Sequence, residues 1–213
     1  MSLNLTVPFS SAVFGLGMLH AFDVDHIMAI SGLAGSRPDS KKMFLLCARW
    51  ALGHGLILLT VGIAVLVLGM SLPNGMDEWS EAIVGLILIV IGLGAFRDLY
   101  RNKLVGVVSD SFKKPKSIHH HSSVIVGMSH GLAGSAVLLA LIPIANQGSA
   151  WSGLAHLTVF SLGVLTSMTA FGGMYGIFFS QLNQKAFRMA TAFRVLIAFS
   201  NLLLGVYWIH DSV

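Results

Sequence analysis

Charge is scarce in this chain. Only 10% of its 213 residues are Asp, Glu, Lys or Arg and 55% are hydrophobic, whereas soluble domains carry about 25% charged residues. That balance excludes a water-soluble globule and predicts an integral membrane protein of one compact domain. Cysteine is scarcer still. The lone Cys47 excludes an intramolecular disulfide, a thiol redox pair and a cysteine-built zinc site within one chain, and it reads as a small packed hydrophobe. No Lys or Arg precedes Arg37, so the charged start of a cleaved signal peptide is missing. A Gly-rich phosphate loop, a serine-triad pattern and a His-Glu-x-x-His motif are absent as well, so any coupling to ATP needs another subunit.

What is present is a series of apolar runs of about 20 residues, the length that crosses a bilayer. They predict helices over Val7–Ala34, Met43–Met70, Glu81–Leu99, Ser123–Ala145, Ala150–Phe179 and Ala186–Ile209. Turns fall at Gly35-Ser36-Arg37-Pro38, Pro73-Asn74-Gly75 and Asn146-Gln147-Gly148-Ser149. A polar linker covers residues 100–122. All 13 Lys and Arg lie in, or close to the helix ends bordering, the loops after the first, third and fifth helices. These loops share one face, which the positive-inside rule makes cytoplasmic. The opposite face carries Asp77, Glu78, Glu81 and Asp211 instead, and both termini are placed outside. The net charge of +4 thus reports topology and not nucleic-acid binding.

Gly17-Met18-Leu19-His20 aligns with Gly127-Met128-Ser129-His130, and Leu52-Gly53 with Leu162-Gly163, at one common offset of 110 residues. The expected fold is therefore all-α, six transmembrane helices as a 3+3 inverted repeat. Residues 1–99 form the first half, 100–122 the cytoplasmic linker and 123–213 the second half. Such repeats are common in secondary transporters, with the substrate site near the midplane.

The centre of the chain is His20-Ala21-Phe22-Asp23-Val24-Asp25-His26, two imidazoles and two carboxylates within seven residues of an apolar span. Ionisable groups at membrane depth mark ion or proton paths by default. On a straight helix His20 stacks with Asp23, and Asp23 with His26, while Asp25 points about 140° away from His20. Either the helix is distorted here, or one carboxylate sits behind a histidine and fixes its tautomer. Imidazole with carboxylate suits borderline divalent ions such as nickel, cobalt and zinc. In the second half Ala133, Ser135 and Ala136 stand where the first has Asp23, Asp25 and His26, and only His130 is kept. The cluster is one-sided.

Other polar groups are weaker candidates. His54, between Gly53 and Gly55 in the second helix, reads as a third ligand or as a histidine bonded to a carbonyl. His130 reads as a ligand, a proton acceptor or a structural residue. His156 is placed near an entry route. The run His119-His120-His121 is cytoplasmic, and fits metal hand-over or plain linker equally. The ten methionines are scattered among apolar residues and read as packing, not as a Cu(I) ligand set.

The stretch from His20 to Ile27 resembles the His-x4-Asp-His signature of the nickel/cobalt transporter superfamily, with His20, Asp25 and His26 at the matching positions. Leu52-Gly53-His54 resembles a second motif of that family, and His130-Gly131-Leu132-Ala133-Gly134-Ser135 resembles its short, urease-accessory-type nickel permeases. Leu19 stands where an Arg usually precedes the first histidine, and a later Leu-Gly-Phe-Asp-Thr motif has no counterpart. The resemblance implies a permease of the inner cell membrane that moves Ni²⁺ or Co²⁺, first of all inward, with no resident cofactor. Metal-site candidates are His20, Asp23, Asp25, His26, His54 and His130. Implied partners are the metal ion, the lipid bilayer, a cytoplasmic metal chaperone or nickel-enzyme maturation proteins, and a second copy of the chain.

Two rival classes remain at this level: a membrane-embedded metalloenzyme, and a metal-sensing or scaffold subunit. The enzyme reading wants a further acid/base carboxylate within the spans, which the chain lacks outside Asp23 and Asp25. Metal binding needs neutral imidazoles, so it weakens at low pH, and proton-coupled exchange is open on this reading.

Overall fold

A computed structural model of the chain describes residues 6–34, 39–108, 122–133 and 149–212. Seven helices make up the described residues: α1 Thr6–His20, α2 Val24–Leu33, α3 Ser40–Leu66, α4 Met76–Val108, α5 Ser122–Leu132, α6 Ala150–Lys185 and α7 Phe187–Asp211. Four segments are each long and apolar enough to cross a bilayer: Ser40–Leu66, Met76–Arg101, Ala150–Lys185 and Phe187–Asp211. Segments Ser10–His20 and Val24–Leu33 pass the same test only together, with a bend of 54° at the break between them.

That bend corrects the single helix expected over Val7–Ala34. The third helix is also longer than Glu81–Leu99, because it starts at Met76 and continues through the first nine residues of the expected polar linker to Val108. α5 is described to Leu132. The remainder of the expected fourth helix, the turn at residues 146–148, the loop at 35–38 and His119–His121 lie outside the described residues. α3 ends where Gly69 takes a left-handed conformation (φ 66°) and the Met70 amide returns to the Ala64 carbonyl, a backbone shape that glycine adopts without strain.

α3 lies at the centre, against α5 on one side and α6 on the other; α1 packs on α6 and α4 on α7. Small residues set these contacts. A Cβ at Gly17 would overlap the Phe160 carbonyl oxygen, and one at Gly127 the Trp50 carbonyl oxygen. Likewise Gly53 meets the Val124 carbonyl and Gly163 the Phe14 carbonyl. The second contact of each pair is the first displaced by 110 residues (17 to 127, 160 to 50; 53 to 163, 124 to 14). Gly85 and Gly205 abut each other's carbonyls directly. Helices in lipid gain nothing from hiding apolar surface from one another, so close backbone approach at glycine is what holds them.

The outer surface is apolar. Leu52, Leu56, Leu86, Val90, Leu93, Leu162, Ile177 and Leu203 are all exposed along the helices. In water such a surface would drive association; in hydrocarbon it is the lipid face. The protein is a multi-pass integral membrane protein.

Candidate metal centre

The site is built at the break between α1 and α2. α1 stops at His20, and the chain turns tightly, with Phe22 N–H donating to the Leu19 carbonyl (2.9 Å) and Asp23 N–H to the His20 carbonyl (3.0 Å). Asp23 then leaves the helical conformation (φ −57°, ψ 144°) and takes the N-cap position of α2 without a side-chain capping bond. Both carboxylates favour this arrangement, since Asp23 and Asp25 stand at the positive end of α2 while His20 stands at the negative end of α1. On one straight helix His20 and His26 would point about 120° apart. The break instead brings their rings to 4.7 Å between centroids.

The two carboxylates divide between the two histidines. His20 Nδ1 lies 2.7 Å from Asp23 Oδ2, and His26 Nδ1 lies 3.0 Å from Asp25 Oδ1. The expected Asp23–His26 stack is replaced by the Asp25–His26 contact, because α2 starts afresh after the break. With Nδ1–H of His26 donated to a carboxylate, Nε2 carries the lone pair that a metal needs. That Nε2 is buried and has no partner among the described residues.

α3 supplies the third imidazole. His54 Nε2 lies 3.4 Å from His20 Nε2, and one nitrogen from each of His20, His26 and His54 falls within 4.8 Å of the other two. An ion held tetrahedrally at about 2.0–2.1 Å spaces its ligand nitrogens by about 3.4 Å, so the His20–His54 pair already has the separation of two ligands on one ion. All three rings are at most 7% exposed. A second close group, Asp23, Asp25 and His26, is partly open, since the Asp23 side chain is 46% exposed. The buried nitrogen set and the open oxygen set meet at His26.

His130, from α5, stands beside this group and not in it. Its Nδ1–H donates to the Val126 carbonyl (2.8 Å), its Nε2 is buried without a partner among the described residues, and its ring is 5.6 Å from that of His26. His156, expected near an entry route, is tied to the Ser152 carbonyl within its own helix (2.6 Å). Trp50, fully buried, is a residue that motif reading passed over. Its ring packs on His26, His54 and His130 at 4.8–5.7 Å. The available signal was spacing, since Trp50 and His54 are four residues apart and share a helix face. Phe160 of α6 closes the His20 side at 5.4 Å. A cavity of about 380 Å³ opens onto the centre, lined by His20, Asp23, Asp25, His26, Tyr207 and Trp208 among others.

A lipid-embedded helical protein with a buried cluster of imidazoles at a helix break is the class that fold and site define. The chain belongs to the family described as the transmembrane region of cytochrome c biogenesis proteins, whose model matches residues 25–200. That match includes Asp25, His26, His54 and His130 and begins after His20 and Asp23. The chain is similar to the urease accessory protein UreH of Bacillus sp. (strain TB-90), 28% identical over 207 residues that cover 93% of this chain and 89% of that protein. It is also similar to a protein of Methanocaldococcus jannaschii named "Putative nickel/cobalt efflux system", 25% identical over 179 residues covering 79% and 76%. The resemblance to nickel/cobalt permeases read from the motifs is met by these two relatives. Neither is named as an enzyme, in keeping with the non-enzyme expectation. No solved structure matches the chain.

Proposed function

We propose that the chain is a secondary transporter for Ni²⁺ or Co²⁺, working first of all as an importer. The observation that carries the reading is the convergence of His20, His26 and His54 on one buried spot beside an open cavity. On this reading the three imidazoles bind the ion. Asp25 orients His26, and Asp23 orients His20 while offering the arriving cation a carboxylate at the cavity wall. His130 stands ready as a further ligand. The ion is the substrate, and no resident cofactor is needed.

The architecture belongs to the proposal too: six spans in two inverted halves (1–99 and 123–213) joined by a cytoplasmic linker, with both termini outside. The glycine contacts paired at an offset of 110 support it, as does the break of the first span at the site, since transporters of this kind bind substrate at discontinuous helices and rock one half against the other. Nickel-enzyme maturation proteins are the partners to expect on the inner side, which the accessory name of the Bacillus relative supports. A second copy of the chain is a further partner to test for.

Efflux is the second reading, favoured by the name of the Methanocaldococcus relative. Cells exposed to trace Ni²⁺ decide between the two. Expression of the intact chain is expected to raise cell nickel several-fold over an equally expressed His26→Ala variant. Lower nickel with raised nickel tolerance would reverse the direction. No difference for either Ni²⁺ or Co²⁺ would remove the transport reading.

A further inference from the structure

Two cavities stand end to end along α2 and α7. On α2, Asp25 and His26 line the cavity already described, while Ser31, Gly32 and Leu33 line a second one of about 500 Å³. The change on α7 is parallel, with Leu204, Tyr207 and Trp208 on the first cavity and Arg194 and Ile197 on the second. Arg97 and Arg194 place the second cavity toward the basic, cytoplasmic face. Histidines line the first cavity and none lines the second. Among the described residues, the point where α2 and α7 meet lies between the imidazole centre and the inner cavity.

One polar residue sits at that point. Asn201, fully buried, donates from Nδ2 to the Met28 carbonyl of α2 (3.1 Å) and to the Ile197 carbonyl of its own helix (2.9 Å). Both partners are carbonyl oxygens, which only accept, so the amide nitrogen must face them and Oδ1 is left over. Oδ1 is buried with no partner among the described residues. Gly32 lets the amide in, since a Cβ there would stand 3.1 Å from Asn201 Nδ2. A carboxamide with an unsatisfied acceptor is a poor choice for static packing inside a bilayer, where a leucine would fill the space without that loss. A contact made and broken during a cycle accounts for it better.

Resting on the transport reading above, we propose that Asn201 is a positioning residue that clasps the half-helix α2 to α7 and so closes the path from the imidazole centre to the inner cavity. Release of the ion inward requires this clasp to open. It acts through Met28, two residues beyond His26, and so works on the element that carries the site without touching the ion.

The test locks the clasp. In a Cys47→Ser background, Gly32→Cys and Asn201→Cys are combined. A Cβ at Gly32 would lie 3.5 Å from Asn201 Cγ, the place that the sulfur of Asn201→Cys takes, so the two side chains come within reach of a disulfide. The same Cβ would overlap Ile91 Cγ2, and Ile91→Ala is added to the background to make room for it. Oxidised protein is expected to bind Ni²⁺ as the reduced form does, yet to pass it across proteoliposomes at less than a tenth of the reduced rate, with recovery on reduction. Equal flux in protein shown by mass to be cross-linked overturns the proposal. Asn201→Leu provides an independent check that keeps bulk and removes the donor. Unchanged Ni²⁺ binding with flux altered at least threefold supports the clasp, and unchanged flux in a Ni²⁺-binding Asn201→Leu protein overturns it. A parent protein with no flux counts against transport itself, whereas parent flux that the disulfide leaves untouched counts against the clasp alone.

Discussion

His26→Ala is expected to weaken Ni²⁺ binding to purified protein by well over 100-fold, the largest functional effect of any single change. His26 supplies a buried Nε2 to the three-imidazole group, and it is also the partner of Asp25. Removing the ring takes away a ligand and leaves a largely buried carboxylate without its partner, a second penalty in a non-aqueous setting. His20→Ala and His54→Ala are expected to be comparably damaging. Asp25→Asn should be milder, at about 10–100-fold, the usual effect of losing a group that orients a ligating histidine. An asparagine keeps an oxygen that can accept from His26 Nδ1–H, but it no longer raises the basicity of the ring. His210→Ala, at an exposed position on α7, should bind as the parent does. Titration calorimetry on the five variants checks the ranking. Near-normal binding by folded His26→Ala protein would remove His26 from the site.

A large effect on stability is expected at Gly53 and Gly163, as at Gly17 and Gly127. A valine at either position drives a branched side chain into a backbone carbonyl of the facing helix, Val124 from Gly53 and Phe14 from Gly163. A carbonyl inside a helix cannot rotate away as a side-chain terminus can, so the helices must part. The cost is about 3 kcal/mol or more, the upper end of what overpacking does. Each variant is expected to lose most of its monodisperse fraction in detergent. Gly15→Ala is the matched control, because nothing lies within 4 Å of its added Cβ and alanine is the better helix former. Thermal unfolding followed by size-exclusion chromatography reads both. Gly53→Val protein with the stability of the parent would mean that α3 and α5 do not approach as closely as described.

Much of this could be read from the chain alone, for physical reasons that differ by element. Hydrophobic length located α3, α6 and α7 to within a turn or two, because a bilayer imposes a minimum span and the loops between are short and polar. The 110-residue offset that aligns Gly17 with Gly127 and Gly53 with Gly163 returns in their contacts, since close helix approach in lipid needs small residues at fixed positions. The cluster at 20–26 stood out because ionisable groups are so rare at that depth. The four ionisable groups could not share one face of a straight helix, which left a distortion open, but Ala21 and Phe22 are unremarkable helix residues and gave no sign of where a break falls. The break comes from Asp23 starting a new helix and from packing against α6 and α7. The His20–Asp23 pair was expected from helix spacing and is present, whereas the Asp25–His26 pair followed from the break and was hidden. Trp50 was hidden differently, because a buried tryptophan in an apolar span looks like ordinary packing until its neighbours are known. The extension of α4 to Val108 ran through a stretch whose polarity marks the membrane boundary and not the end of the helix.

Metal flux into proteoliposomes is the measurement that bears most directly on the central claim. Vesicles carrying the purified chain and a trapped metal-sensitive dye would be offered Ni²⁺, Co²⁺, Zn²⁺ and Mn²⁺ separately, beside vesicles carrying equal amounts of His26→Ala protein. Uptake of Ni²⁺ or Co²⁺ by the parent, absent in the variant, is the predicted result. Protein that binds Ni²⁺ at the imidazole centre and moves none of the four ions would contradict it.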